Sequence, residues 1–335
     1  MGRGRIVKLA FLGTPEFAVP SLTCLHDAGH EILLVLTQPD RPSGRGQHVR
    51  PSPVKIEARS RGLQIFQPER LDVPAVDRLA ALGVDALVVV AYGLILPPPV
   101  LRLPPEGCIN LHASLLPRYR GAAPVAHAIL RGETRTGVTT LLMDEGIDTG
   151  PILLQRECPI GPDETAGDVE QRLSGMGASL LVETLGTLSA GEARPRAQVI
   201  DRETYAPKIR PEMARISWEK EAASIVNRVR AMNPRPGAAT TLGGGHLKIW
   251  RASAGPPRGA GETAAPPGAV LSGGAAPRVA CGGGGSVILR ELQMEGRRRV
   301  SGEEALRGRW FGPGDRFGEA TEAGGEGPGP APSGL

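Results

Sequence analysis

Residues 6–37 read IVKLAFLGTPEFAVPSLTCLHDAGHEILLVLT. The stretch 6–13 is almost continuously apolar and stops at Gly13, which predicts a strand buried on both faces. Residues 17–28 carry their apolar side chains at helical spacing, and 32–37 form a second apolar run. Strand, helix, strand with no tight turn between the strands is a crossover unit, so the two strands are expected to run parallel. The alternation continues downstream. Helices are expected at 53–61, 73–82, 124–131 and 165–188, the third with Pro124 in its first turn. Strands are expected at 63–66, 86–91, 108–112, 138–143 and 152–157. The first half is therefore α/β, a parallel sheet covered by helices on both sides. Ligands of such sheets bind beyond the carboxyl ends of the strands, which makes the residues there the functional candidates.

Beyond residue 190 the texture changes. Residues 190–207 mix Gly, Pro and charges without period and read as a linker. One amphipathic helix is expected over 218–232. Short apolar pieces at 247–250, 269–271 and 287–292 then stand between Gly-rich turns, the pattern of a small β-barrel or sandwich. Residues 254–268 and 273–285 are expected to be open loops, and 312–335 a disordered tail. The expected domains are thus 1–189, a linker 190–207, a second domain 208–311, and the tail.

The 335 residues include 46 Gly and 32 Pro but only 3% aromatics, too few for a protein that stacks many bases on aromatic rings. The net charge of +4 hides an asymmetry: residues 208–310 carry +9, the last 25 residues −3 and the first 207 residues −2. A basic second domain calls for a polyanionic partner. Cys24, Cys108, Cys158 and Cys281 are isolated and show no metal-ligand spacing, so no metal is expected and a reducing cytoplasm suits them. No signal peptide, myristoylation start or membrane span is visible in the sequence.

Three stretches could carry chemistry. In Asn110-Leu111-His112 the first and third residues of a strand share a face, setting an amide donor beside an imidazole. That pair suits a reaction in which a carbonyl becomes an oxyanion while a proton moves. In Asp144-Glu145-Gly146-Ile147-Asp148-Thr149-Gly150 either aspartate could orient His112, although such acidic turns are common and the EF-hand spacing is absent. Ser114-Leu115-Leu116-Pro117 opens a Pro- and Arg-rich loop that could wall a pocket for a flat heterocycle. Gly13-Thr14-Pro15-Glu16 replaces the dinucleotide fingerprint, and neither a P-loop nor a serine-hydrolase elbow occurs.

Taken together the chain resembles the methionyl-tRNA formyltransferase family. The matching stretches are Phe11-Leu12-Gly13-Thr14-Pro15-Glu16-Phe17-Ala18, Thr37-Gln38-Pro39-Asp40-Arg41-Pro42 with Gly44-Arg45-Gly46, Ala91-Tyr92-Gly93-Leu94-Ile95-Leu96-Pro97, and the segments 110–124 and 143–150. They run in the family's order. The resemblance implies a Rossmann-like formyltransferase domain followed by a small OB-like β-barrel domain that helps hold tRNA. It implies formyl transfer from 10-formyltetrahydrofolate, a cosubstrate rather than a tightly bound cofactor, to the α-amino group of methionyl initiator tRNA. It sets the catalytic residues at Asn110, His112 and Asp148 and a folate-binding loop at Ser114, Leu115, Leu116 and Pro117. A cytoplasmic monomer is expected. Arg41 and Arg45 lie in a basic loop that leaves a sheet strand, with Arg45 between two glycines, and are expected to contact tRNA. The same catalytic set would serve a formyltransferase acting on a glycinamide nucleotide or an amino sugar, and a non-catalytic RNA-binding protein is the alternative from another class. The basic second half favours tRNA, and the intact Asn110, His112 and Asp148 favour an enzyme.

Overall fold

The computed structural model describes residues 5–43, 48–199, 203–262 and 264–318. The chain divides into two compact units. One takes most of the first 208 residues; the other takes everything from Ile209 together with residues 129–133 and 162–167.

The first unit is a seven-stranded sheet. Its strands are β1 (Lys8–Gly13), β2 (Glu31–Leu36), β5 (Ile65–Phe66), β6 (Ala86–Val90), β7 (Cys108–His112), β8 (Arg135–Leu142) and β9 (Ile152–Pro159), in the order β5-β2-β1-β6-β7-β8-β9. Pairing is parallel from β5 to β7, as the crossover reading requires. β8 and β9 depart from it: β8 runs antiparallel to β7, and β9 to β8. For β9 the physical reason is the connection 143–151, which holds no helix and so cannot make a parallel crossover; β8 reverses against β7 although the connection 113–134 holds the helix Pro124–Leu130. β6 is buried at every position, whereas β8 buries Thr136, Thr139 and Thr140, whose hydroxyls need partners. Thr140 finds one in Thr184, 2.8 Å away between hydroxyl oxygens.

The helices are α1 (Val19–Asp27), α2 (Pro53–Ser60), α3 (Val73–Ala80), α4 (Pro98–Leu101), α5 (Pro124–Leu130) and α6 (Ala166–Ser189). Ser52 caps α2 by accepting from Lys55 N, Asp72 caps α3 by accepting from Ala75 N, and both helices carry proline in the first turn. The expected long loop 38–53 contains a short antiparallel hairpin, β3 (Arg41–Ser43) and β4 (His48–Arg50).

The second unit holds α7 (Ala222–Ala231), an antiparallel sheet and α8 (Gly302–Arg307). The strands are β10 (Ala238–Leu242), β11 (Gly245–Ala254), β12 (Val270–Leu271), β13 (Arg278–Ala280), β14 (Ser286–Met294) and β15 (Val300–Ser301). The order is β10-β11-β14-β13-β12, with β15 on β14. Two expectations are corrected here. The stretch 273–285 is not an open loop throughout, because β13 lies in it and Val279, Ala280 and Cys281 are fully buried. The tail cannot begin at 312. Arg316 pairs with Ala269 beside β12, Phe317 pairs with Leu242 of β10, and Phe317 is 1% exposed against Trp218 and Phe311. Residues 315–318 thus join the two end strands of the sheet and close the barrel. The glycine-rich composition around them masks one anchoring aromatic. The tail beyond Gly318 lies outside the described residues.

Candidate active site

Asn110 and His112 share one face of β7, and Leu111 projects from the other. Leu111 packs against α6 at Gly177, where an added Cβ would come within 2.5 Å of Leu111 Cδ2, so the close seat of α6 on β7 depends on a missing side chain. On the Asn110–His112 face the connection 143–151 delivers Asp148. Its Oδ1 accepts from Asn110 Nδ2 at 3.1 Å, and its Oδ2 accepts from Gly121 N at 2.8 Å. The same Oδ2 lies 3.5 Å from His112 Nδ1. The three expected residues therefore meet.

Of the two candidate aspartates, Asp148 is the one beside His112. Asp144 instead accepts from Gly146 N at 3.1 Å and from the Thr149 hydroxyl at 2.5 Å, which shapes the loop.

His112 is buried, with Nε2 2.9 Å from Tyr119 O. A carbonyl oxygen only accepts, so Nε2 carries the hydrogen and the lone pair of the neutral ring sits on Nδ1, facing Asp148. Tyr119 and Asp148 both have left-handed backbone, φ 61° and 54°. Such positions cost about 1–3 kcal/mol each and persist only where neighbours hold them. Cys108, at the start of the same strand, is no nucleophile: burial pushes its thiol up to about 12.

The loop Ser114–Pro117 is bound into the fold from below. Ser114 Oγ donates to Arg118 O at 2.6 Å, the Thr139 hydroxyl donates to Ser114 O, and Gln155 Nε2 donates to Leu116 O at 2.9 Å. Ser114 and Leu116 are buried, and Leu116 packs with Leu141 and Ile152. Leu115 and Pro117 are half-buried. Arg41 is exposed and pairs with Arg50 across the hairpin. The base of that hairpin is fastened by Lys55 Nζ on Asp40 at 2.6 Å and by Gln67 Nε2 on the same carboxylate at 2.8 Å. Arg45 lies outside the described residues.

Sequence reasoning missed four contributors. Tyr119 and Gly121 act through backbone groups, which no residue type advertises. Gln198 and Thr204 fall in the stretch read as a linker, which has no period to mark it. Gln198 Nε2 donates to Asp148 O and to Gly150 O, each at 2.8 Å, and Thr204 Oγ1 accepts from Tyr119 N at 2.8 Å. The Gly121 position in the Pro/Arg-rich loop was the one available signal.

In the second unit the positive charge gathers around two indoles. The Arg299 guanidinium lies 3.6 Å from the Trp250 ring centre and Lys248 Nζ 5.5 Å from it, with Arg297 5.6 Å from that of Trp310. Among the described residues, no group of His, Cys, Asp and Glu could hold a metal ion, and no helix is long and apolar enough to cross a membrane.

A mixed, largely parallel sheet that brings an amide, an imidazole and a fixed carboxylate together at β7 suits group transfer, and the comparisons identify the class. Residues 7–185 match the formyl transferase family and 208–309 match the formyl transferase C-terminal domain, so the chain belongs to the formyl transferase family. Its relatives include the methionyl-tRNA formyltransferase of Methylococcus capsulatus, 48% identical with 90% of this chain and 96% of that protein covered. That of Solibacter usitatus is 47% identical, covering 93% and 99%. Among solved structures, the N-formyltransferase of Helicobacter canadensis in complex with folinic acid and dTDP-3-aminofucose superposes with a TM-score of 0.64 at 19% identity, over 86% of this chain and all of that one. HypX of Aquifex aeolicus in complex with tetrahydrofolic acid gives 0.59 at 18% identity, over 91% of this chain and 47% of that one. At these identities the two structures speak for the fold.

Proposed function

We propose that the chain transfers the formyl group of 10-formyltetrahydrofolate to the α-amino group of methionyl initiator tRNA, with Asn110, His112 and Asp148 as its catalytic residues. The observation that carries the assignment is Asp148, fixed at both oxygens by Asn110 and Gly121 N and set 3.5 Å from His112 Nδ1. The methionyl nitrogen attacks the formyl carbon and the carbonyl pair moves onto oxygen. Collapse restores the carbonyl and breaks the bond to the folate nitrogen, which takes up the proton that the amine loses. Asn110 gives one N–H to Asp148 and has a second for the oxyanion; removing such a donor costs about 10²–10³ in rate. Nε2 of His112 is already hydrogen-bearing, so the travelling proton lands on Nδ1, where the Asp148 charge stabilises it.

Folate binding is assigned to the Ser114–Pro117 loop, through Leu115 and Pro117, since Ser114 and Leu116 face inward. For tRNA, the coverage of both domains by Met-tRNA formyltransferase relatives and the Lys248–Arg297–Arg299 surface favour a nucleic-acid substrate over an amino sugar or a glycinamide nucleotide. Arg41 and Arg45 add phosphate contacts on this reading, and the enzyme works as a cytoplasmic monomer. The test is mass spectrometry of Met-tRNA after incubation with the protein and 10-formyltetrahydrofolate. Formylmethionyl-tRNA is the expected product; formylation of a nucleotide sugar but not of Met-tRNA would overturn the substrate.

A further inference from the structure

Residues 196–206 are exposed except for Gln198, Glu203 and Thr204, which are half-buried, and Ala206, which is buried; residues 200–202 lie outside the description. The inward-facing groups go to one place. Gln198 gives both amide hydrogens to carbonyls, Asp148 O and Gly150 O, and its oxygen accepts from Arg120 Nε at 3.1 Å and Nη2 at 2.8 Å. Carbonyls only accept and a guanidinium only donates, so the amide has one possible orientation. Arg120 is buried and also pairs with Glu203. Further along, Arg120 N donates to Thr204 O at 2.8 Å, Ala206 N donates to Arg120 O at 2.7 Å, and Tyr119 N donates to Thr204 Oγ1.

We infer that residues 196–199 and 203–206 form a strap that positions the acid–base pair, with Gln198 and Thr204 as positioning residues; the inference rests on the catalytic reading above. Four groups orient His112 and Asp148: Tyr119 O on the imidazole, Gly121 N and Asn110 Nδ2 on the carboxylate, and the left-handed backbone of Asp148 itself. Gln198 pins the last through Asp148 O. Thr204 and Ala206 grip residues 119–120, which carry Tyr119 O and lead directly into Gly121 N. The described part of the strap buries a single apolar residue, Ala206, and contributes little core, so its loss should tell on turnover more than on folding.

The experiment uses the full-length enzyme and four variants: Gln198→Ala, Thr204→Val, Thr204→Ser and the double variant Asp148→Asn/Gln198→Ala, beside Asp148→Asn. The strap requires Gln198→Ala and Thr204→Val to lower kcat at least about tenfold with both KM values within about twofold. Thr204→Ser keeps the hydroxyl and should restore most of the rate. The double variant should be no slower than Asp148→Asn alone, because a residue acting through Asp148 has nothing left to position. A Gln198→Ala enzyme with at least half of wild-type kcat overturns the strap, as does a loss that appears in KM or follows the melting temperature. A double variant about tenfold slower than Asp148→Asn overturns it too. Asp148→Asn at wild-type rate instead refutes the catalytic assignment and the strap with it, so the two failures are told apart.

Discussion

Gly150→Ala should cripple the enzyme although residue 150 touches no reacting group. A Cβ built there comes to 1.7 Å from Leu142 O, a backbone atom, whereas real Cβ contacts essentially never fall under 3.0 Å. The two must therefore part by at least about 1.3 Å. Leu142 is hydrogen-bonded into β8 and paired with Ile109 of β7, so the sheet will not yield and the connection 143–151 must. Asp148 is two residues from the clash and moves with it. Its bond to Gly121 N, 2.8 Å long, and its 3.5 Å approach to His112 cannot survive a displacement of that size. A 1 Å misplacement of a catalytic group costs about a hundredfold, so kcat should fall about 10²-fold, with a stability loss of about 1–3 kcal/mol from overpacking. Gly146→Ala is the control. Its nearest contacts would be with the Thr149 side chain, whose hydroxyl can turn aside at the loss of its bond to Asp144. Its kcat loss should be smaller by at least about tenfold. The assay is steady-state formylation of Met-tRNA beside a thermal melt. A Gly150→Ala protein that melts like the wild type and turns over within about threefold of it would refute the chain of reasoning from Leu142 to Asp148.

His112→Ala and Asp148→Asn should each lower kcat by about 10²–10⁴ while tRNA affinity, read by filter binding, stays near wild type. The Asp40 carboxyl is held below the ordinary aspartate range by its hydrogen bond from Lys55 and then by that from Gln67. A lowered carboxylate pKa stabilises the fold above the ordinary value, and that contribution fades as pH falls through the lowered one. The hairpin anchor should thus be intact at neutral pH, and Lys55→Met should move the Asp40 midpoint upward in a carbon-detected NMR titration. Arg41→Ala and Arg45→Ala should each reduce the log–log salt slope of tRNA binding by about one and leave folate binding unchanged in a tRNA-free measurement. Phe317→Ala should destabilise the second unit by about 3–5 kcal/mol, seen as a lowered melting temperature.

The parallel core was legible because β1, β2 and β6 are apolar on both faces and lie apart by helical segments, a pattern that sets the strands parallel though not their order. The reversed strand β8 and its neighbour β9 were recognised as strands, but the antiparallel pairing of these two is carried by the shortness of the connection between them and not by the strands themselves. Asn110 and His112 were legible through their period of two. Asp148 could not be separated from Asp144 by spacing alone, since the choice depends on how a turn closes over the sheet. Backbone donors and acceptors such as Gly121 N and Tyr119 O leave no mark in a sequence. Gln198 was hidden for a related reason: it holds an exposed segment by polar bonds, so no apolar repeat betrays it. In the second unit, glycine-rich turns obscured β13 because three residues are too few to register as a pattern.

The pairing of Arg316 and Phe317 has a consequence for how this protein would age or be trimmed. β10 and β12 stand at opposite ends of the sheet order, and residues 315–318 are what lies against both. Proteolysis just before Asp315 would free Val270 N, Gly268 O and Thr241 O from their partners and open sheet edges on which strands of other molecules add. The nicked product would then be lost to intermolecular association before it lost its catalytic site. For storage, affinity tagging or truncation, the vulnerable point of this enzyme is its closing strand, a few residues that composition alone would have discarded.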